Sequence, residues 1–167
     1  MVRDYQSRGS RPVMVCVLKG ACPFFQHLCD ALMDLRQGFD TEFIRVSSYD
    51  GTESTGKVNI AEGLDYNHLT GRDVLLVEDI LDTGTTLSHL IPSLLQRESP
   101  PKSVEVCTLL SKRLKEPKKC TAKYCGFSIP DHFIVGYGLD FNELYRDTRD
   151  LFLISQKGID FDAKTLK

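Results

Sequence analysis

The chain has 167 residues, 41% of them hydrophobic, and its 21 basic side chains against 23 acidic ones give a formal net charge of −2. A chain of this size buries roughly 70% of the surface its unfolded form exposes, so a single domain, 1–167, stands without disulfides or structural metal. The composition excludes disordered and fibrous classes, the near-neutral charge argues against nucleic acid as a partner, and no apolar run reaches the ~20 residues of a membrane span.

Met1 to Arg11 is polar, carries three arginines and lacks a hydrophobic core. It is therefore no secretory signal, and a cytoplasmic protein is expected. Val13 to Leu18 is a continuous apolar run that predicts a strand buried on both faces, followed by the tight turn Lys19-Gly20. Phe25, Leu28, Cys29, Leu32 and Met33 then recur at helical spacing between Pro23 and Arg36, with proline suited to the first turn. Glu42 to Ser47 predicts a second strand, and the Gly, Ser, Thr and Asp content after Tyr49 predicts a mobile loop, taken as a lid over 49–70.

Val74 to Val77 is another buried strand, and Leu87, Leu90, Ile91, Leu94 and Leu95 predict a helix that Pro92 should kink or end early. Val104 to Leu110 predicts a further strand; Tyr124–Ile129, Phe133–Val135 and Leu151–Ile154 are shorter candidates, with 155–167 as a tail. Strands alternating with helices imply an α/β fold with a mostly parallel, doubly wound sheet flanked by helices. Six cysteines without a CxxC pair read as buried thiols rather than as a disulfide framework. Lys112 to Lys123 holds six basic residues among twelve and reads as a solvated loop.

In such sheets ligands sit beyond the carboxyl ends of the strands. There the sequence places Glu78 and Asp79 directly after four buried aliphatics, where adjacent carboxylates can accept from vicinal hydroxyls or hold a divalent ion. Asp82, Thr83, Gly84, Thr85 and Thr86 follow at a helix amino terminus, where free amides and the helix dipole favour a phosphate. The segment offers a sugar clamp beside a phosphate cradle.

The run Val77-Glu78-Asp79-Ile80-Leu81-Asp82-Thr83-Gly84-Thr85-Thr86 resembles the phosphoribosyl pyrophosphate motif of the type I phosphoribosyltransferases. Val17-Leu18-Lys19-Gly20 resembles their pyrophosphate loop, Ser47-Ser48-Tyr49 the start of the lid, and Leu109 to Arg113 the base-selecting lysine segment. Gly126 to Asp131 and Phe133 to Asp140 resemble the base pocket of the hypoxanthine-guanine branch, and the likeness runs from about Val13 to Ile154.

The resemblance implies a type I phosphoribosyltransferase fold with a small, partly missing hood, 1–11 being the remnant of an amino-terminal helix. It implies a purine salvage transferase in which N9 of hypoxanthine or guanine attacks C1 of 5-phosphoribosyl 1-pyrophosphate, giving IMP or GMP and pyrophosphate with Mg2+ as cofactor. Glu78 and Asp79 would face the ribose, Asp82 to Thr86 the 5′-phosphate, and Lys19, Gly20 and Arg146 the pyrophosphate. Asp82 would handle the N7 proton and Lys112 donate to purine O6, the two catalytic roles. Phe133 would stack on the base, Ile134 and Asp140 read its edge, and Glu78, Asp79 and Asp140 lie near metal. Ser48 and Tyr49 would close over the reaction, and the Leu18-Lys19 peptide would be cis. Relatives pair as homodimers or homotetramers. Ala21 departs from the family where a second glycine is common, and His132 where many members carry lysine. A competing reading is a nucleotide-sensing or RNA-binding regulator on the same fold, supported only by the basic run.

Overall fold

The computed structural model of the protein describes residues 1–47, 59–60 and 64–161. In chain order it contains α1 (Val2–Ser7), β1 (Val13–Leu18), α2 (Cys22–Asp34), β2 (Asp40–Ser47), β3 (Asn59–Ile60), α3 (Tyr66–Leu69), β4 (Asp73–Leu81), α4 (Thr85–Leu95), β5 (Ser103–Arg113), β6 (Tyr124–Pro130), β7 (Ile134–Val135), β8 (Phe152–Leu153) and α5 (Gln156–Ile159). The sheet order is β3-β2-β1-β4-β5-β6, with β3 antiparallel to β2 and every other neighbour parallel. β7 and β8 pair antiparallel as a separate ribbon.

Alternation along the central strands produces two cores. Val13, Val15 and Val17 of β1 and Val74 and Leu76 of β4 face one side, where α4 sets Leu87, Leu90 and Leu94 against them. Met14, Cys16, Leu75 and Val77 face the other, covered by Phe25, Cys29 and Leu32 of α2 and by Tyr5 of α1. Each fully buried aliphatic side chain contributes about 1.5–3 kcal/mol, so the strands are fixed in register by both faces. Tyr5 is 1% exposed and its hydroxyl donates to Glu105 Oε2 at 2.9 Å, which ties residues 1–11 to β5.

Four sequence expectations change. β4 runs past Val77 to Leu81, because β5 reaches Arg113 and offers ladder partners, Ile80 opposite Leu110 and Leu81 opposite Ser111. Glu78 and Asp79 are therefore strand residues, and only Asp82 onward is turn. α4 does not end at Pro92; that residue is exposed, so water can reach the carbonyl its ring leaves unpaired, and the helix continues to Leu95. The carboxyl part of the expected lid, 64–70, holds α3 and buries Leu64 and Leu69, so it is packed body; 49–58 and 61–63 lie outside the described residues. All six thiols are free, but Cys22 and Cys125 are exposed rather than buried.

Candidate active site

The carboxyl ends of β1, β4 and β5 converge on one edge, and the motif residues sit there. Gly84 caps α4 with φ +78, a left-handed conformation that side chains seldom adopt. It turns the chain so that Thr83 and Thr85 bring their hydroxyls to 3.0 Å. Asp82, Thr83, Gly84, Thr85 and Thr86 line a small concavity at the amino end of α4, an eleven-residue helix with no acidic residue in its first turn. Free amides and an uncompensated helix dipole make it an anion site.

Beside it opens a shallow cleft that Asp79 and Asp140 also line. Asp82 and Lys112 meet on its wall, where Lys112 Nζ donates to Asp82 Oδ2 at 2.8 Å, with Asp131 a further 3.5 Å partner. Ile80, Ile134 and Leu139 are the apolar walls, and Phe133 is half exposed at the rim. Phe133 meets Phe141 in a T-shaped contact at 5.3 Å, and Lys112 Nζ lies 5.9 Å from its centre. The cleft thus offers an aromatic plane, aliphatic walls, one donor and one acceptor, a set suited to a flat heterocycle.

On the third side lies the turn after β1. The Leu18-Lys19 peptide is cis, as the sequence led one to expect. A methyl at Gly20 would fall 1.8 Å from Asp79 Oδ2, and one at Gly138 would fall 2.3 Å from Gly20 O, so three segments touch with no room for a side chain. Lys19 Nζ donates to Glu143 Oε2 at 2.7 Å. Arg146 is held by Gly138 O at 2.8 Å, Asp140 Oδ1 at 2.7 Å and Glu143 Oε1 at 3.1 Å.

Glu78 and Asp79 have no salt-bridge partner among the described residues. Burial pushes the Glu78 carboxyl well above the usual carboxylate range, and the charge of Asp79 adds to it. Burial also raises Asp79, opposed by backbone amides, including that of Ile80 at 2.8 Å, and by Arg146. Such a pair lacks positive charge and hydroxyl donors, both of which a sugar and a cation supply. Among the described residues no three His, Cys, Asp or Glu side chains cluster closely enough to hold a metal ion. The expected trio Glu78, Asp79 and Asp140 is therefore not an assembled metal site, since Asp140 is turned to Arg146 and accepts from the Glu143 amide. Two adjacent hard carboxylates still fit magnesium, which takes one or two protein carboxylates and completes its shell with water and substrate phosphates.

Of the expected site residues, Lys19, Gly20, Glu78, Asp79, Asp82 to Thr86, Lys112, Phe133, Ile134, Asp140 and Arg146 fall around this edge, while Ser48 and Tyr49 lie outside the described residues. Sequence reading missed Glu143, which engages both Lys19 and Arg146, and Leu139 as a cleft wall. An acid three residues before Arg146 was the only signal for the first. His27, given no function, meets the Tyr137 hydroxyl and stacks on its ring at 5.7 Å, bracing the loop that carries Gly138.

Residues 2–142 match the phosphoribosyl transferase domain family. The hypoxanthine-guanine phosphoribosyltransferases of Homo sapiens and Canis lupus familiaris are each 42% identical over 156 residues, spanning 90% of this chain and 71% of the relative. Among solved structures, the hypoxanthine phosphoribosyltransferase of Trypanosoma cruzi in complex with the product IMP is 36% identical with a TM-score of 0.80, covering 93% of this chain and 84% of that one. A second structure of the Trypanosoma cruzi enzyme, from work on the role of its C-terminal region in oligomeric state and activity, gives 0.81 at the same identity, covering 93% and 82%.

Proposed function

The chain belongs to the hypoxanthine-guanine phosphoribosyltransferase family, and on that premise we propose how its own residues carry out phosphoribosyl transfer in purine salvage. The 5′-phosphate of 5-phosphoribosyl 1-pyrophosphate sits in the Asp82–Thr86 turn, its ribose hydroxyls on Glu78 and Asp79, and its pyrophosphate against Lys19 and Arg146. Hypoxanthine or guanine lies in the neighbouring cleft, its face on Phe133 and its O6 receiving a hydrogen bond from Lys112. Adenine has an amino group at that position and cannot accept, so the lysine selects 6-oxopurines.

As N9 forms its bond to C1, the bond from C1 to pyrophosphate oxygen breaks and its electron pair leaves with pyrophosphate. The proton displaced from N7 passes to the Asp82 carboxylate, and in the reverse direction Asp82 returns it. Lys19 and Arg146 stabilise the charge that develops on the leaving group. We assign Glu78 and Asp79 as the residues that would hold magnesium, which would supply charge neutralisation of the pyrophosphate when bound. Ser48 and Tyr49 belong to the segment that excludes water, since the activated sugar would otherwise hydrolyse. We place the protein in the cytoplasm as a homo-oligomer. Among the described residues no helix is long and apolar enough to cross a membrane.

The observation that carries this reading is the meeting of Lys112 and Asp82 on one wall of a cleft that adjoins the phosphate turn. The test is pyrophosphate release from 5-phosphoribosyl 1-pyrophosphate with hypoxanthine, guanine, adenine, uracil and orotate in turn. Release with the two 6-oxopurines alone is expected. IMP binding without release by any base would overturn the assignment in favour of a nucleotide-sensing regulator.

A further inference from the structure

The basic run between β5 and β6 is not simply solvated. Lys118 is half-buried, and its ammonium donates to Leu81 O at 2.9 Å and to Ser111 Oγ at 2.5 Å. The next amide, Lys119 N, donates to Thr83 O at 2.9 Å, and Cys120 Sγ reaches Gly84 O at 3.7 Å. Three consecutive residues therefore meet three carbonyls of the phosphate turn. The fit is close: a methyl at Gly84 would come within 2.8 Å of Cys120 Sγ and 3.1 Å of Cys120 N.

In a trans peptide the C=O and the following N–H point in opposite directions. Gly84 O also accepts from Ser88 N of α4 at 2.9 Å, so the strap acts chiefly on Leu81 O and Thr83 O, and fixing those two carbonyls outward turns the amides of Asp82 and Gly84 the other way. The concavity lined by Asp82 to Thr86 needs those donors, and any carbonyl turned into it would repel a phosphate. Lys118 has a second effect. Leu81, the last residue of β4, and Ser111 of β5 are register partners, and each immediately precedes one of the two proposed catalytic groups, Asp82 and Lys112. One ammonium therefore bridges the two strands that present both.

We infer that Lys118–Cys120 is a strap that pre-orients the 5′-phosphate turn, with Lys118 its principal positioning residue. The inference rests on the reading of Asp82–Thr86 as the phosphate site. It concerns how that site is held rather than what touches the substrate.

The experiment compares two ligands that differ only in the 5′-phosphate, IMP and inosine, by calorimetric or fluorescence titration. In Lys118→Met, which keeps the aliphatic stem and loses the donors, the dissociation constant of IMP should rise about tenfold while that of inosine changes less than about twofold. Lys118→Arg should recover most of the IMP affinity. Equal weakening of both ligands, or no change in either, would overturn the strap. If thermal unfolding shows that Lys118→Met does not fold, Ser111→Ala is read on the same pair, with a smaller loss confined to IMP expected and an equal or absent loss contradicting the inference. An unaltered chain that binds IMP no more tightly than inosine would instead refute the phosphate site itself.

Discussion

Lys112 Nζ donates to Asp82 Oδ2 at 2.8 Å across 30 positions of sequence, the lysine side chain only 10% exposed and the aspartate 48%. The cation proposed to select the base and the anion proposed to accept its proton thus satisfy one another. The pair keeps a nearly buried ammonium from standing unpaired, and the arriving purine must take over one hydrogen bond from each partner.

Asp82→Asn keeps the shape and removes the proton acceptor. kcat with hypoxanthine should fall roughly 10²–10⁴-fold, the range for losing a general base. The dissociation constant of IMP should move little. A kcat close to that of the unaltered enzyme would remove Asp82 from proton transfer.

Glu143 occupies both cations assigned to pyrophosphate, through 2.7 Å and 3.1 Å contacts, and its carboxyl is held below the usual range by hydrogen bonds from Lys19 and then Arg146. Pyrophosphate must displace it. Glu143→Gln should lower KM for pyrophosphate in the reverse reaction by about two- to fivefold, as suits exposed pairs, and the gain should shrink in high salt. A raised KM would show that Glu143 assists binding instead.

Gly20→Ala places a methyl where Asp79 Oδ2 now lies, at 1.8 Å. The carboxylate and the turn must separate, and misplacement of about 1 Å costs on the order of 10²-fold in rate. Activity should drop by about that factor while the far-ultraviolet circular dichroism spectrum stays unchanged. Unimpaired turnover would mean the turn and the acid pair are not coupled.

Asp40 joins the amino-terminal segment to the body through Arg11 at 2.6 Å and Arg72 at 2.5 Å, with His68 Nε2 at 3.9 Å. Arg11 first and then Arg72 hold its carboxyl down to about 2 from the usual 3.8. A depressed carboxyl contributes stability that is complete above the unfolded value and is lost as pH falls through the folded one. Asp40→Asn should therefore cost about 1 kcal/mol at neutral pH after allowance for exposure, and the two proteins should converge between pH about 4 and 2. Denaturant unfolding across that range measures it, and a difference that persists undiminished at pH about 2 would rule out the carboxylate as its source.

The sequence by itself determined the βα units and the tight turn that opens α4. Val13 to Leu18 and Val74 to Val77 are apolar without interruption because both faces of a parallel sheet are covered, and Gly84 and the hydroxyl residues after Asp82 announce a tight turn at a helix start whatever surrounds them. Tertiary structure alone decided what depends on partners far along the chain. β4 extends through Glu78 and Asp79 only because β5 reaches Arg113 beside it. Asp140 turns to Arg146 rather than toward the acid pair because the partly buried guanidinium offers an opposite charge at 2.7 Å. The lysines after Arg113 read as solvated because charge favours water, yet Lys118 is drawn in by Leu81 O at the end of β4 and by the Ser111 hydroxyl. Local propensity is a property of neighbours in sequence, whereas the pairing of charges and carbonyls is set by which strands the sheet brings side by side.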